Sequence, residues 1–465
     1  MERIFIEKTP DYKDKSVKVC GWVHSRRNHG KIIFIDLRDR SGILQVVFVP
    51  QAEEAYKLAE SLRSEWVVSI EGKINSRPKG MENPDIKTGL IEMQAGKLEI
   101  LNPAETPPFS PDADGYEINE ETRLKYRYID LRRPRLAKNI RMRHKAIKHI
   151  RDFFDANGFY EIETPILTKS TPEGARDYVV PSRLHRGQFY ALPQAPQQYK
   201  QLLMASGIER YFQIARCFRD EDTRGDRQPE FTQMDLEISF AEREDVMAIN
   251  ESALIDLVEK IYPKKKIQEK PFPLISYKEA MEKYETDRPD LRKDKNNPDL
   301  LAFCWIIDFP FFEKSGKGGW TFTHNPFSRP KTEHMDWLMK KENIGEILTT
   351  QYDIALNGFE LGGGSVRNHR PEALFKVFEI IGYEKEEITQ KFGHMLEAFS
   401  LGTPPHGGIA WGMDRLIAIL ENEPNIREVI AYPKTGDGRD LMMDAPSDIG
   451  KEQLKELGLT VVKKA

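Results

Sequence analysis

The chain contains little cysteine and no long apolar run. Only three cysteines, Cys20, Cys217 and Cys304, occur among its 465 residues, and they lie far apart in the sequence. This count argues against a disulfide framework and against a zinc site built on paired cysteines. Because no stretch of 18 apolar residues is present, we expect no transmembrane helix.

A strong net charge of either sign is also missing. The 70 basic and 74 acidic residues leave a formal charge of −4, which excludes a globally basic nucleic-acid binder but permits local basic patches. The amino-terminal sequence MERIFIEKTPDYKDK lacks the apolar core of a signal peptide. We therefore expect a cytoplasmic protein, and its length indicates two or three domains.

Residues 1–104 are predicted to form a β-rich domain. Five short strands and one helix are expected, the strands at Ser16–Val23, Lys31–Leu37, Ile43–Val49, Trp66–Ile74 and Leu90–Ala95 and the helix within Ala52–Arg63. This order is typical of a small Greek-key barrel of the OB type, with a β-sandwich as the alternative. Basic and aromatic residues interleave between His24 and Phe34, as in surfaces that bind single-stranded nucleic acid.

The remainder of the chain is predicted to be one large α+β domain. The stretch 102–115 contains four prolines, and residues 105–130 are interpreted as a linker or hinge. From 131 to 465, long helical patterns such as Lys138–Asn157 and Asp245–Ile261 alternate with strands. A chain of this length can bury a large core.

The segment Phe218–Phe240 combines a charged loop with a strand. From Thr232 onward, apolar and polar residues alternate strictly, which predicts a half-buried strand with an unusually polar face. The preceding loop brings Arg219, Arg224 and Arg227 close together, and guanidinium groups beside carboxylates favour a pocket for a phosphorylated ligand. A solvated hairpin with exposed ion pairs is the alternative.

The segment Tyr352–Arg367 is predicted to form a hairpin that turns at Asn357-Gly358. In that register Asp353 and Glu360 are diagonal neighbours, with Cβ atoms roughly 7–8 Å apart, so both carboxylates can reach one Mg²⁺. The glycines that follow would let a ligand approach the backbone. A hairpin with surface acids and a glycine bulge is the alternative.

Two further segments each carry a cation near the start of a predicted helix. In Gly407–Leu420 an apolar strand turns at Gly412 into a helix that begins near Asp414. Arg415 then lies in the first helical turn, where the helix dipole disfavours a cation. This position therefore favours a role in binding an anionic ligand, and pairing with a nearby carboxylate is the alternative. Gln197 and Lys200 lie on one face of another helix start, and Lys200 either binds a carboxylate or is exposed and inert.

Together these segments resemble class II aminoacyl-tRNA synthetases, specifically the bacterial aspartyl type of subclass b. Segment 158–167 looks like the dimer-interface motif, 218–240 like the second motif and 407–416 like the third. Segments 171–183, 359–367 and 426–435 are similar to stretches characteristic of this family. The resemblance implies an OB-type anticodon-binding barrel and a catalytic domain with an antiparallel β-sheet flanked by helices. It also implies a homodimer.

The resemblance implies a role for each matching residue. Arg219 would be catalytic. The residues expected to bind aspartate are Glu173, Gln197, Lys200, Arg219, Asp235, His324 and Arg367. Those expected to bind ATP are Arg219, Asp220, Glu221, Gln228, Phe231, Glu360, Gly412, Met413, Asp414 and Arg415. Asp353 and Glu360 would hold Mg²⁺ as the cofactor.

The implied activity is ligation of L-aspartate to tRNA(Asp) through an aspartyl-adenylate. The residues expected to contact the anticodon are Arg27, His29, Phe34, Gln45 and Glu92. His29 followed by Gly30 resembles the relaxed kind of enzyme, so tRNA(Asn) is a further expected substrate. An asparaginyl or lysyl relative is the alternative enzyme, although two cations, Lys200 and Arg367, suit neither an amide nor an ammonium group. An inactive tRNA-binding paralogue is the other alternative.

The chain departs from the family pattern in three places. Ala195 replaces a usual serine, and Asn325 follows His324 where a second histidine is common. Bacterial relatives carry a large insertion domain near 287–300, whereas only about seven residues join the matching segments here, a short connection. We therefore expect the catalytic fold without that domain.

Overall fold

The computed structural model describes residues 1–170, 174–316 and 318–462. The chain separates into two compact units, 1–110 and 111–465. Across the described residues, no helix has the length and apolar character needed to cross a membrane.

The first unit is a closed five-stranded barrel. Its strands are β1 (Ser16–His29), β2 (Ile32–Arg38), β3 (Ile43–Phe48), β4 (Val67–Ser76) and β5 (Ile91–Asn102), with helix α1 (Glu53–Ala59) between β3 and β4 and a 3-10 turn at Ile6–Tyr12. The strands close in the order β1-β2-β3-β5-β4. The predicted barrel is confirmed and the sandwich alternative is wrong. Alternate residues such as Ile33, Ile35 and Leu37 fill its interior.

Strand β1 is longer than predicted. It continues past Val23 through a polar stretch to His29, because residues 25–29 pair with residues 32–36 of β2. Pairing with a neighbouring strand satisfies the backbone polar groups whatever the side chains are. The basic residues between the two predicted strands are therefore held on a strand.

The second unit contains the remaining helices and strands. Its helices are α2 (Glu120–Lys125), α3 (Arg127–Asp130), α4 (Pro134–Ala156), α5 (Gln197–Ala205), α6 (Arg243–Ile261), α7 (Tyr277–Tyr284), α8 (Met335–Lys340), α9 (Pro371–Ile380), α10 (Lys385–Ser400), α11 (Met413–Leu420) and α12 (Lys451–Leu457). Its strands are β6 (Tyr160–Glu161), β7 (Val179–Pro181), β8 (Phe189–Ala191), β9 (Arg210–Phe218), β10 (Glu230–Ser239), β11 (Lys266–Ile267), β12 (Leu274–Ser276), β13 (Leu300–Leu301), β14 (Phe303–Ile307), β15 (Phe312–Lys314), β16 (Trp320–Phe322), β17 (Gln351–Leu356), β18 (Phe359–Val366) and β19 (His406–Gly412). Short 3-10 turns occur at Thr332–His334, Ile344–Glu346 and Ile426–Val429.

Eight of these strands form one sheet in the order β12-β14-β17-β18-β19-β10-β9-β6. All neighbours are antiparallel except the two edge pairs, β12 with β14 and β6 with β9. Helices α4, α6 and α11 contribute Phe154, Leu254 and Leu416 to the apolar core on one face. The predicted α+β class is confirmed.

Two expectations about β10 need correction. The strand was predicted to be half-buried, but its residues from Met234 to Ser239 are all buried, because β9 and β19 flank it and both faces are covered. Phe240 was assigned to its apolar row. It instead has a φ of 57° and is 70% exposed, so it turns the chain out of the sheet.

The predicted linker 105–130 is not wholly a linker. Residues from 111 onward belong to the second unit, and Arg123, Arg127 and Asp130 are buried there. The guanidinium groups bind Asp130 and Glu428, at 2.7 Å for Arg127 to Asp130 and for Arg123 to Glu428. Sequence composition gave no sign of this burial, since charged residues are seldom buried unless they are paired.

Candidate active site

A cavity of about 710 Å³ opens on the other face of the large sheet. Strands β10, β17 and β18 form its floor, and the starts of α5 and α11 close two of its sides. The predicted residues that line it are Gln197, Lys200, Arg219, Glu221, Gln228, Phe231, Asp235, His324, Asp353, Glu360, Arg367, Gly412, Asp414 and Arg415. The structure thus brings together side chains from five separate segments of the sequence.

Two predicted residues do not line the cavity, and a third is not described. Glu173 lies outside the described residues. Met413 follows Gly412 into α11, and its fully buried side chain packs in the apolar core and does not line the cavity. Asp220 is also absent from the cavity wall. Its carbonyl oxygen accepts a hydrogen bond from Nε of Arg176 at 2.9 Å, and its carboxylate lies 3.9 Å from the same guanidinium group.

Two cations and two carboxylates form a buried cluster at one end of the cavity. Nζ of Lys200 lies 3.1 Å from Oδ2 of Asp235 and 3.2 Å from Oε2 of Glu237. The guanidinium group of Arg367 binds Glu237 through Nε at 2.8 Å and Nη2 at 3.1 Å. All four side chains are 3% exposed or less. Charges this deeply buried are retained only when they are paired.

Glu237 was missed at the sequence level. It belongs to the same polar face of β10 as Asp235, and that alternation was the signal that could have identified it. Its Oε2 also leaves no room for a side chain at Gly408 of the neighbouring strand β19, since a Cβ there would lie only 2.0 Å away. Glu237 therefore positions Lys200 and Arg367 from beneath the cavity floor.

The two carboxylates of the cluster differ in acidity. Burial raises the pKa of Asp235 to about 6, although Lys200 opposes the shift. Burial alone would also raise the pKa of Glu237, but Arg367 and Lys200 hold it below its ordinary value. Oδ1 of Asp235 is buried and accepts no hydrogen bond from the part of the chain that the structure describes. This oxygen is thus available to a ligand that carries a donor.

Asp353 and Glu360 lie on the hairpin of β17 and β18. Its pairs are Leu356 with Phe359 and Ala355 with Glu360, as predicted, but a bulge then places Asp353 opposite Gly363. The two acids still share the cavity face. Burial, with the nearby charge of Glu360, raises the pKa of Asp353 well above its ordinary value.

This pair fits a divalent cation. A cation would offset the cost of two neighbouring carboxylates, one of them buried, and hard oxygen ligands suit Mg²⁺. His324 places Nε2 at 3.7 Å from Oδ2 of Asp353. Burial lowers the pKa of His324. In the described ranges, no group of three or more acidic, histidine or cysteine side chains is arranged for a metal, so water or a ligand would fill the remaining positions around a bound cation.

The opposite end of the cavity carries two arginines. The guanidinium group of Arg219 lies 5.1 Å from the ring centre of Phe231. Arg415 donates to the carbonyl oxygen of Glu360 and, at 3.2 Å, to Asp226. Nε of each arginine is buried without a hydrogen-bond partner in the described structure. An aromatic face beside two guanidinium groups suits a base and its phosphates.

Two other residues predicted to contact nucleotide have structural partners. The amide of Gln228 donates to the carbonyl oxygen of Lys434 at 3.2 Å and accepts from its NH at 2.7 Å. Asp414 accepts from the NH of Thr232 at 2.9 Å and from Arg143 at 2.5 Å. Both residues therefore hold the walls of the nucleotide end together.

The first unit presents a second candidate surface on the outside of its barrel. Arg27 of β1 lies opposite Phe34 of β2 and binds Asp36 at 3.1 Å. On β3 and β5, Gln45 donates to Glu92 at 2.9 Å. His29 ends β1 and is exposed. The five residues predicted to contact an anticodon thus lie on consecutive strands, with an aromatic ring between polar groups.

Comparisons with known proteins agree with this architecture. A family model described as class II tRNA synthetases (D, K and N) matches residues 119–436, and one described as an OB-fold nucleic acid binding domain matches residues 17–101. An aspartate–tRNA(Asp/Asn) ligase of Rubrobacter xylanophilus is 41% identical, covering 96% of this chain and 94% of the relative. An aspartate–tRNA ligase of Staphylococcus epidermidis is 39% identical, with 97% and 98% covered.

The alignment with the Rubrobacter protein spans 569 positions, more than the 465 residues of this chain, so that relative contains residues that are missing here. Among solved structures, the asparaginyl-tRNA synthetase of Pyrococcus horikoshii in complex with asparaginyl-adenylate has a TM-score of 0.75 at 21% identity, with 94% of this chain and 98% of that chain covered. A putative aspartyl-tRNA synthetase of Leishmania major also has a TM-score of 0.75, at 19% identity, with 93% and 94% covered.

Proposed function

Because the chain belongs to the class II tRNA synthetases of the D, K and N group, we propose that it activates L-aspartate with ATP and transfers it to tRNA. The observation that carries the proposal is the buried cluster of Lys200 and Arg367 with Asp235 and Glu237. Two cations at the end of one cavity select a carboxylate side chain over an amide or an ammonium group.

The cluster can recognise two of the three charged groups of aspartate. Lys200 and Arg367 would bind its side-chain carboxylate, and Oδ1 of Asp235 would accept from its α-ammonium group. Gln197 and His324 also line the cavity, and Glu173 completes the proposed set by resemblance. A substrate that lacks one of these recognised groups would leave a buried group of the protein unpaired. The free-energy cost of that unpaired group is what makes such sites specific.

At the nucleotide end, Phe231 and Arg415 would hold the adenine between them, with Glu221, Gln228, Gly412 and Asp414 forming the surrounding wall. Asp353 and Glu360 would hold Mg²⁺, which supplies neutralisation of phosphate charge when it is bound. The orphan Nε of Arg219 and Arg415 indicates that both guanidinium groups still have a donor for a ligand.

The activation step needs no catalytic base, because the attacking carboxylate is already ionised. An α-carboxylate oxygen of aspartate attacks the α-phosphorus of ATP, a new O–P bond forms, and the bond to pyrophosphate breaks. Arg219 binds the α-phosphate and the attacking carboxylate and stabilises the charge that develops between them. The terminal hydroxyl of tRNA then attacks the acyl carbon, the bond from that carbon to the phosphate oxygen breaks, and AMP leaves with its phosphate taking up the hydroxyl proton. Positioning and electrostatics carry both steps.

The direct test is exchange of labelled pyrophosphate into ATP with each amino acid in turn. Aspartate is expected to support exchange, and asparagine and lysine are expected to give none. Exchange with asparagine or lysine alone would favour the corresponding relative, whereas tRNA binding without any exchange would favour an inactive paralogue.

We also propose that the barrel reads the anticodon and that both tRNA(Asp) and tRNA(Asn) are charged. Phe34 would stack on a base, Arg27 and His29 would contact its neighbours, and Gln45 and Glu92 would bind base edges. The name of the Rubrobacter relative, which covers both tRNAs, supports this proposal. Charging assays with both tRNAs test it, and a large preference for tRNA(Asp) would refute the double specificity.

A homodimer is the proposed assembly, working in the cytoplasm where tRNA is charged. Tyr160, Ile166 and Leu167 lie in the segment that resembles the dimer motif, and each is at least 47% exposed. Exposed apolar side chains concentrated in one segment favour an interface. Molecular mass from light scattering should be twice that of the chain, and a monomeric mass at assay concentrations would contradict the proposal.

A further inference from the structure

Behind the aspartate end of the cavity, a buried chain of polar groups leads away from Gln197. Nε2 of Gln197 donates to Oε1 of Gln201 at 2.9 Å. Nε2 of Gln201 lies 3.1 Å from Nε2 of His406, and Nδ1 of His406 lies 2.8 Å from the carbonyl oxygen of Pro404. Gln201 and His406 are both fully buried. We call these three side chains and that carbonyl the amide–imidazole chain.

The direction of every hydrogen bond in the amide–imidazole chain follows from one group. The carbonyl of Pro404 can only accept, so Nδ1 of His406 must carry the proton. Nε2 of a neutral imidazole is then an acceptor, and Gln201 must present its NH₂ to it. The carbonyl oxygen of Gln201 consequently faces Gln197, which must present its own NH₂.

The hydrogen bond between Gln197 and Gln201 determines which atom of the Gln197 amide faces the cavity. With its NH₂ turned to Gln201, Gln197 is left with its carbonyl oxygen for a ligand at the cavity wall. A carbonyl oxygen accepts from an ammonium group and repels a carboxylate. The orientation of this amide therefore distinguishes the α-amino group of the amino acid from its carboxylates.

We propose that His406 and Gln201 are positioning residues that fix the amide of Gln197 so that its oxygen binds the α-ammonium group of the substrate. The proposal rests on the proposed activation of aspartate. It assigns a role to two residues that touch neither substrate nor nucleotide.

The surroundings of His406 keep it neutral, as the amide–imidazole chain requires. Burial lowers the pKa of His406 to about 4; Glu237 and the Pro404 carbonyl raise it, and Arg367 and His369 lower it further. At neutral pH, Nε2 is therefore an acceptor. Its position is also fixed from the backbone, because the carbonyl oxygen of His406 accepts from the NH of Arg367 at 2.8 Å.

The test compares His406→Leu with His406→Gln in pyrophosphate exchange. Leucine removes the acceptor, so Gln201 and Gln197 are free to turn over. Glutamine can still offer an oxygen at the end of its side chain to Gln201. Each variant is assayed for KM of aspartate, KM of ATP, kcat, and inhibition by succinate, which is aspartate without its α-amino group.

His406→Leu is expected to raise KM for aspartate about tenfold or more, since a hydrogen bond to a charged group is lost. The inhibition constant of succinate and the KM for ATP should stay within about twofold of the original protein, and His406→Gln should restore KM for aspartate. A merely structural role would weaken aspartate and succinate together. Gln201→Leu should reproduce the selective effect if His406→Leu does not fold.

Three results would overturn the proposal. They are an unchanged KM for aspartate in His406→Leu, an equal loss of succinate binding, or a His406→Gln variant as impaired as His406→Leu. Absence of aspartate-dependent exchange in the unmodified protein would instead remove the proposed function, so the two failures are distinguishable.

Discussion

Lys200 and Arg367 show how single residues can hold buried charge against a sheet. Each is buried, and each is balanced by a carboxylate of β10. Desolvation of a cation is costly, so a missing partner would leave an uncompensated charge where water cannot reach it. The same arrangement leaves both cations rigid, which is the property that a site for a small anion needs.

We predict that Glu237→Gln lowers the free energy of unfolding by about 3 kcal/mol or more, because it removes the partner of two buried cations. KM for aspartate should rise, since glutamine keeps only one of the two acceptor oxygens that fix the guanidinium plane of Arg367. Urea unfolding and pyrophosphate exchange measure the two effects. Glu230→Gln on the same strand is the control. That side chain is 33% exposed and pairs with Arg216, so a loss under about 1 kcal/mol is expected.

The acidity of Asp235 predicts a pH dependence. Its pKa is raised to about 6 by burial, so the carboxyl group is protonated at a pH where an ordinary aspartate is still ionised. Protonation removes the charge that attracts the α-ammonium group, and kcat/KM for aspartate should therefore fall as the pH drops through about 6. Exchange rates between pH 5 and 8 test this. Asp235→Asn should lack that acid limb, and an identical limb in both proteins would exclude Asp235 as its cause.

At the scale of elements, the hairpin of β17 and β18 owes its geometry to glycine. A Cβ on Gly362 or Gly364 would lie 2.3 or 2.2 Å from a backbone oxygen of β19. Only glycine therefore lets these strands meet at the cavity floor. At Gly363 the conflict is different, because a Cβ would lie 2.6 Å from Oδ1 of Asp353.

We predict that Gly363→Ala displaces the carboxylate of Asp353 and raises the Mg²⁺ concentration needed for half-maximal exchange, by about tenfold if one ligand is weakened by about 1.4 kcal/mol. KM for aspartate should change little, because the charge cluster lies apart from this pair. Titration of exchange with Mg²⁺ is the measurement. Gly393→Ala in α10 is the control, since its nearest atom is 3.5 Å away. Equal Mg²⁺ requirements in both variants would argue against Asp353 as a ligand.

Buried ion pairs stabilise the short helices α2 and α3. Nε of Arg123 lies 3.1 Å, Nη1 of Arg127 2.7 Å and Nε of Arg133 2.6 Å from the carboxylate of Asp130, which is fully buried. Burial alone would raise the pKa of Asp130, but Arg123 and Arg133 lower it below its ordinary value.

Asp130→Asn should lower the free energy of unfolding by about 3–5 kcal/mol, because buried guanidinium groups lose a shared counter-charge. Urea denaturation followed by circular dichroism measures it. Asp152→Asn removes an exposed partner of Lys148 and should cost less than about 1 kcal/mol. A loss of similar size in both variants would show that the burial of Asp130 contributes nothing.

At the scale of the whole molecule, the chain divides into two units with separate cores. The barrel has its own interior of residues such as Ile35, Val46 and Met93, and closure leaves it without an exposed strand edge. The described residues that line the cavity belong to the second unit.

We predict that residues 1–110 fold alone, with one cooperative thermal transition, because a closed barrel with its own core needs no other part of the chain. Circular dichroism against temperature is the measurement. A fragment of residues 1–90 lacks β5, which pairs with both β3 and β4, and should not show that transition. A non-cooperative melt of the longer fragment would contradict the expectation.

Much of the fold was accessible from local patterns. Alternation of apolar and polar residues identified the barrel strands and β10, and the Asn357-Gly358 pair identified the hairpin turn. Helical periodicity identified α4, which begins four residues before its predicted start. Patterns could not show that β10 is covered on both faces, nor that residues 111–130 join the larger unit. Those facts depend on neighbours distant in sequence, which local periodicity does not contain.

By itself the sequence determined the types of chemistry: a cation pair, an acid pair and an aromatic residue flanked by arginines, in an order that resembles one family. Only the tertiary structure decided how these groups are balanced. In the structure Glu237 pairs with both cations, and Met413 packs in the core. Hydrogen bonds through Gln201 connect Gln197 to His406. The physical reason is that charge compensation and hydrogen-bond direction are properties of contacts, and these contacts join residues up to 205 positions apart.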